Sequence, residues 1–157
     1  MALYTHTYTH ASDILAEVNR EIALAADNAF TENGSPLYDQ IVLTSKDNDW
    51  VTHLIGDSLA RLAARTADIC AWNTTTNNLT FTVPDIPTGL PDLVDDAITR
   101  YAALYACMCV LNVRYPALSQ DYAQRCQSAM DNVIALVRQR KRPAAATSST
   151  STSTTTE

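Results

Sequence analysis

The run YAALYACMCVLNV, residues 101–113, contains one polar residue, Asn112, if tyrosine and cysteine are counted as apolar. Its alanines, leucines and methionine favour helix. A helix apolar nearly all round must be buried on several sides, either inside the fold or against a neighbouring copy. Pro91 is expected to open this helix at its first position, where a missing N–H costs nothing. RYPALS, residues 114–119, is a short break, and a second periodic stretch runs from about Ala117 to Arg142. Leu118, Tyr122, Cys126, Ala129, Val133, Leu136 and Val137 line one of its faces. A connection this short makes the two helices an antiparallel hairpin. At 1.5 Å per residue the second is roughly 40 Å long, with its basic end farthest from the turn.

Upstream, PDIPTGLPD, residues 84–92, carries three prolines and reads as an extended loop. LTFTV, residues 79–83, alternates Leu79, Phe81 and Val83, which predicts a short strand with one buried face, half of a hairpin. A long amphipathic helix is expected from about Lys46 to Trp72, capped by Ser45, with Val51, Ile55, Leu59, Leu62 and Ile69 on its apolar stripe. LYDQIVLT, residues 37–44, fits either a short strand or an extended crossover. TENGSP breaks the chain at residues 31–36. Before it, Leu15, Val18, Ile22, Ala25 and Ala29 recur on one face of a helix from about Ser12 to Phe30. The expected fold class is mainly α: a bundle of about four helices with a short β-strand or hairpin insertion. It divides into an extended N-terminal arm (residues 1–11), a helical domain (12–142) and a Thr/Ser-rich C-terminal arm (143–157).

Charge is unevenly placed. Up to Val137, 16 acidic and 7 basic residues give −9; from Arg138 onward, 4 basic residues and 1 acidic residue give +3. An acidic body repels phosphate, so nucleic acid is not expected to bind there. Three glycines in 157 residues exclude a glycine-rich phosphate loop. Residues 1–10, MALYTHTYTH, have no positively charged and apolar leader pattern, and no stretch reaches the roughly 18–20 apolar residues of a membrane span. Cys70, Cys107, Cys109 and Cys126 make no C-x-x-C pair and read as small buried thiols of a reducing compartment.

Catalytic chemistry finds little to stand on. His6 and His10 have i, i+4 spacing, but their Thr/Tyr context is extended and holds no companion ligand, so no metal is expected. His53 lacks a neighbouring nucleophile, and Asp95 and Asp96, adjacent on a helix, diverge by about 100°. The chain is read as a non-enzyme without a cofactor. Partner-binding residues are sought at the two ends. Tyr4 and Tyr8 stand in an N-terminal arm suited to lie on a partner. Arg138, Arg140, Lys141 and Arg142 can serve as favourable charge at a helix C-terminus, a nucleic-acid patch, or a dock for an acidic protein surface. Beyond them TSSTSTSTTT, residues 147–156, cannot bury enough apolar area to fold alone. Its threonines, Thr147, Thr150, Thr152 and Thr154 among them, suit an extended strand that adds to a neighbour's sheet edge, and the arm could reach roughly 50 Å.

The segments LVDDAITRYAALYACMCVLNVRYP (93–116) and QDYAQRCQSAMDNVIALVRQRKRP (120–143) resemble the helical hairpin of the small head–tail connector (adaptor) proteins of tailed bacteriophages. The resemblance spans Leu90–Pro143, about a third of the chain, and does not extend to the THTYTH start or the Thr/Ser tail. It implies a structural virion protein, made in the host cytoplasm, that forms a homo-oligomeric ring of about a dozen copies in the phage neck. It further implies binding to the portal and to a tail or second neck protein, with genomic DNA only as passing cargo and no membrane. On that reading the apolar hairpin helix is buried between copies. The alternative is a helical regulatory module that binds protein or nucleic acid through its basic helix end.

Overall fold

The structure, a computed structural model, describes residues 3–8, 13–73, 78–84 and 89–138. At its centre is a helix, Leu90–Arg114, one of four long helices accompanied by a three-stranded sheet. In chain order the elements are β1 (Leu3–Tyr8), α1 (Asp13–Asp27), α2 (Tyr38–Ile41), α3 (Asn48–Arg65), β2 (Cys70–Asn73), β3 (Asn78–Pro84), α4 (Leu90–Arg114) and α5 (Pro116–Val137). The fold class is the expected one, a mainly helical bundle with a small β insertion. Among the described residues no helix is long and apolar enough to cross a membrane.

The all-round apolar character of α4 follows from its position. It packs against α5, α1 and α3, and Tyr101 through Cys107 are buried without interruption. Of the two alternatives for this helix, burial inside the chain's own fold is the one observed, and burial between copies is not needed to cover Tyr101–Cys107. Gly89, at φ 85, supplies the left-handed residue that turns the chain into α4, and Pro91 follows at its second position. Arg114 ends α4, and Pro116 begins α5 after a single intervening residue, which forces the antiparallel hairpin. Tyr122, Cys126, Met130, Val133 and Val137 form the buried stripe of α5; Met130 is buried where Ala129 was expected, and Leu118, Ala129 and Leu136 are only half-buried at its margins. The helix spans about 33 Å and closes at Val137, short of the expected Arg142; residues 139–142 lie outside the described residues.

α1 buries Ile14, Val18, Ile22, Ala25 and Ala26 against this hairpin, and its end is marked by the Asn28 side-chain amide donating to the Leu24 carbonyl at 2.9 Å. Residues 37–44 are neither strand nor extended crossover but contain one helical turn, α2. Leu37 and Ile41, four residues apart, then point to one face, and Ile41 is fully buried. The carbonyls of Ile41 and Val42, which a strand would direct to a sheet neighbour, accept instead from Arg114 at 3.3 and 2.7 Å.

Two further boundaries differ from expectation. Ser45 does not cap α3: a 3₁₀ turn, Ser45–Asp47, precedes that helix, and Thr44 caps the turn in a capping box with Asp47, whose carboxylate accepts from the Thr44 N–H at 2.8 Å and from its hydroxyl at 3.0 Å. The helix then stops at Arg65 rather than Trp72. Buried Thr66 donates its hydroxyl back to the Leu62 carbonyl at 2.8 Å, and its own carbonyl accepts from the N–H groups of Ile69 and Cys70. That turn delivers Cys70–Asn73 to β3, where an antiparallel ladder pairs one side of their backbone. The helical spacing of Ile69 and Cys70 is real but is used in a turn, because pairing with LTFTV outweighs helix propensity.

β3 is the middle strand, with β1 on one edge and β2 on the other, both antiparallel to it. Leu79 and Phe81 are buried and Thr82 is exposed, the alternation read from the sequence.

Candidate interaction surface

The expected partner-binding residues fall into three groups. Arg138 is exposed, one residue beyond α5, and its guanidinium lies 3.2 Å from the Asp68 carboxylate in the turn between α3 and β2. Both side chains are more than half exposed, so the pair guides the end of α5 without adding much stability. Arg140, Lys141, Arg142, Thr147, Thr150, Thr152 and Thr154 lie outside the described residues. Tyr4 and Tyr8 belong to β1, opposite Val83 and Leu79 in the ladder, with His6 opposite Phe81. The N-terminal segment is therefore extended as expected, but residues 3–8 pair with the chain's own β3 instead of standing free as an arm. His10 lies outside the described residues.

The outer face of the hairpin carries the polar chemistry. A groove of about 470 Å³ runs between α4 and α5, with Arg100 on one wall and Asp121, Gln124, Arg125 and Asn132 on the other. Arg125 lies with its guanidinium 4.6 Å over the Tyr122 ring and 3.4 Å from the Glu21 carboxylate of α1, to which the Tyr122 hydroxyl also donates at 3.4 Å. Farther along α1, Arg20 pairs with Glu17 at 2.6 Å, and the hydrogen bonds from Arg20 hold the Glu17 carboxyl below its ordinary range. This seam places cations and carboxylates side by side on an exposed helical surface.

Residue-by-residue reading missed Arg114. Its guanidinium donates to the Asp47 carboxylate at 2.6 Å as well as to the α2 carbonyls, and it lies 5.8 Å from the centre of the Trp50 ring. The only signal is its place in the last turn of a helix, where cations are favoured anyway. Of the four thiols expected to be buried, Cys107 and Cys126 are enclosed while Cys70 and Cys109 are only half-buried; burial raises the Cys126 thiol to about 11 and the Cys107 thiol still higher. Cys70, expected near the end of a helix, lies in β2. His53 is exposed on α3, and Asp95 and Asp96 follow the first turn of α4. Among the described residues no three or more His, Cys, Asp or Glu side chains form a group able to hold a metal ion.

Large apolar side chains remain exposed at separate points of the surface: Leu24, Phe30 and Tyr38 around the α1–α2 connection, and Leu93 and Val113 at opposite ends of α4. Comparison with known proteins finds no matching family model, no matching curated protein and no matching solved structure.

Proposed function

We propose that this chain is a structural, non-catalytic virion protein that forms a ring in the neck of a tailed bacteriophage and joins the portal to the tail. The observation that carries the reading is the helical hairpin whose last helix runs from an acidic body into a basic end: −9 up to Val137 and +3 beyond it. Opposite charges on the body and the end of one chain suit a head-to-tail contact that closes into a ring. Leu93 and Val113 offer apolar contacts at either end of α4 for such a neighbour. On this reading the cluster Arg138, Arg140, Lys141 and Arg142 docks on an acidic protein surface, the threonine tract beyond it extends along the portal or a second neck protein, and an acidic channel wall lets genomic DNA pass without adhering.

Light scattering coupled to size exclusion tests the proposal, on the full chain and on one ending at Arg142, each with and without a portal protein. Ring formation or portal binding that weakens on truncation is the expected outcome. A monomer indifferent to both would instead point to a regulatory module, whose affinity for nucleic acid should then fall steeply with salt.

A further inference from the structure

Among the described residues the sheet ends at β1, and the register shows which backbone groups are left on its outer side. The Thr82 N–H donates to the Ile69 carbonyl at 2.9 Å, and Ala71 stands opposite Thr80. Backbone groups alternate sides along an antiparallel strand, so Thr80 and Thr82 face β2 while Leu79, Phe81 and Val83 face β1. Their partners on β1 are Tyr8, His6 and Tyr4. Leu3, Thr5 and Thr7 therefore each direct an N–H and a C=O away from β3, where no further strand lies among the described residues. β1 also lacks the residues that usually block an edge: LYTHTY contains no lysine, arginine, acid or proline. The opposite edge offers less, because β2 has four residues and the Cys70 N–H is already donated to the Thr66 carbonyl at 2.8 Å.

The chain carries a segment suited to that edge. Arg138, where the described residues end, lies 3.2 Å from Asp68. Asp68 precedes Ile69, Ile69 bonds to Thr82, and Thr82 stands opposite Thr5. That path crosses two strand spacings, about 10 Å. The stretch from Arg138 to Thr147 can span roughly 30 Å, so the tract TSSTSTSTTT, residues 147–156, begins within reach of the outer side of β1. Six of its residues are threonine, and it has no charge and no proline, which is the composition an added strand needs. Charge favours return to the same body: the end carries +3 and the body −9, whereas two whole chains at −6 each repel. Attachment to the same chain also holds the tract at an effective concentration on the order of millimolar.

We propose that residues 147–156 add to the outer edge of β1 in the same chain, as a fourth strand paired through the backbone of Thr5 and Thr7. The proposal concerns the unassembled chain and does not rest on the ring reading; a portal that takes the tract would do so by displacing it from β1.

Amide hydrogen exchange followed by NMR tests it, on the dilute full chain and on the chain ending at Arg142. The readout is the exchange rate at Thr5 and Thr7 relative to that at His6, whose N–H is committed to β3 in both chains. That ratio should be about tenfold lower in the full chain than in the truncated one, and unchanged on further dilution. Thr150→Pro combined with Thr152→Pro keeps the length and charge of the tail but removes two N–H donors, and should behave like the truncation. Equal ratios in the full and truncated chains, or a proline variant that keeps the full chain's ratio, would overturn the proposal. So would a ratio that falls only as the protein is concentrated, which would assign the edge to the tract of a second copy.

Discussion

Tyr101 and Arg114 are two long side chains on one helix with opposite hydrogen-bond accounts. The Tyr101 hydroxyl is enclosed and donates to nothing among the described residues, and burial holds its ionisation far above the ordinary phenol range. Removing an unsatisfied buried O–H relieves a desolvation cost. Tyr101→Phe is therefore expected to leave stability unchanged or raise it by about 1 kcal/mol, read as a shift in the urea midpoint at constant slope. Arg114 is the reverse case, since every partner it holds would be left short. Arg114→Ala strands two carbonyls and the Asp47 carboxylate and should cost about 2–3 kcal/mol in the same measurement. Lysine at this position should recover little of that loss, because three acceptors in two directions need the guanidinium fork. Neither side chain announces its account in the sequence: a tyrosine among alanines and an arginine before Tyr-Pro look alike whether their polar ends are satisfied or not.

At the scale of elements, caps and terminators decide where helices begin and end. The Asp47 carboxyl is held below its ordinary range, first by the Thr44 backbone N–H, then by the Thr44 hydroxyl and Arg114. A carboxylate whose folded pKa is depressed contributes stability above the unfolded value, about 3.9, and loses it as pH falls through the folded one. Acid titration of unfolding free energy should therefore fall below about pH 4, and Asp47→Asn should be less stable at neutral pH with a flatter acid limb. The periodic signals for α1, α3, α4 and α5 are strong enough to be read directly, and so is the alternation of LTFTV. The end of α3 is not, because Thr66, Ile69 and Cys70 continue a helical spacing, and only the presence of β3 gives Cys70–Asn73 a better use for their backbone groups. The same holds for α2, whose single turn depends on an arginine more than seventy residues away in sequence. Phe81→Ala, which opens a cavity where the sheet meets the core, should cost about 3–5 kcal/mol on thermal or urea unfolding.

For the whole molecule, the buried acids set an alkaline limit. Burial raises the thiols of Cys107 and Cys126 and the hydroxyls of Tyr101, Tyr105 and Tyr122. Groups raised on folding contribute stability that is intact below their unfolded values, about 8.5 for thiols and 10 for phenols, and is lost as pH rises through the folded ones. The unfolding midpoint should hold near neutrality and decline above about pH 9, while Cys107 and Cys126 resist alkylation in the native chain and react on unfolding. The charge division between body and end is a property of the molecule as well. If it drives assembly as proposed, association should weaken as salt rises through the range where the Debye length drops below about 8 Å.

Composition and periodicity by themselves determined that this chain is a mainly helical bundle, that its last two long helices form an antiparallel hairpin, and that charge is split between body and end. Those features depend on residue spacing and on a short connection, both local. The tertiary structure alone decided that α4 is buried by its own chain, that residues 3–8 close the sheet as an edge strand on β3, and that α3 yields to β2. Each of these depends on groups far apart in sequence meeting across the core, and spacing along one segment carries no information about what that segment will meet.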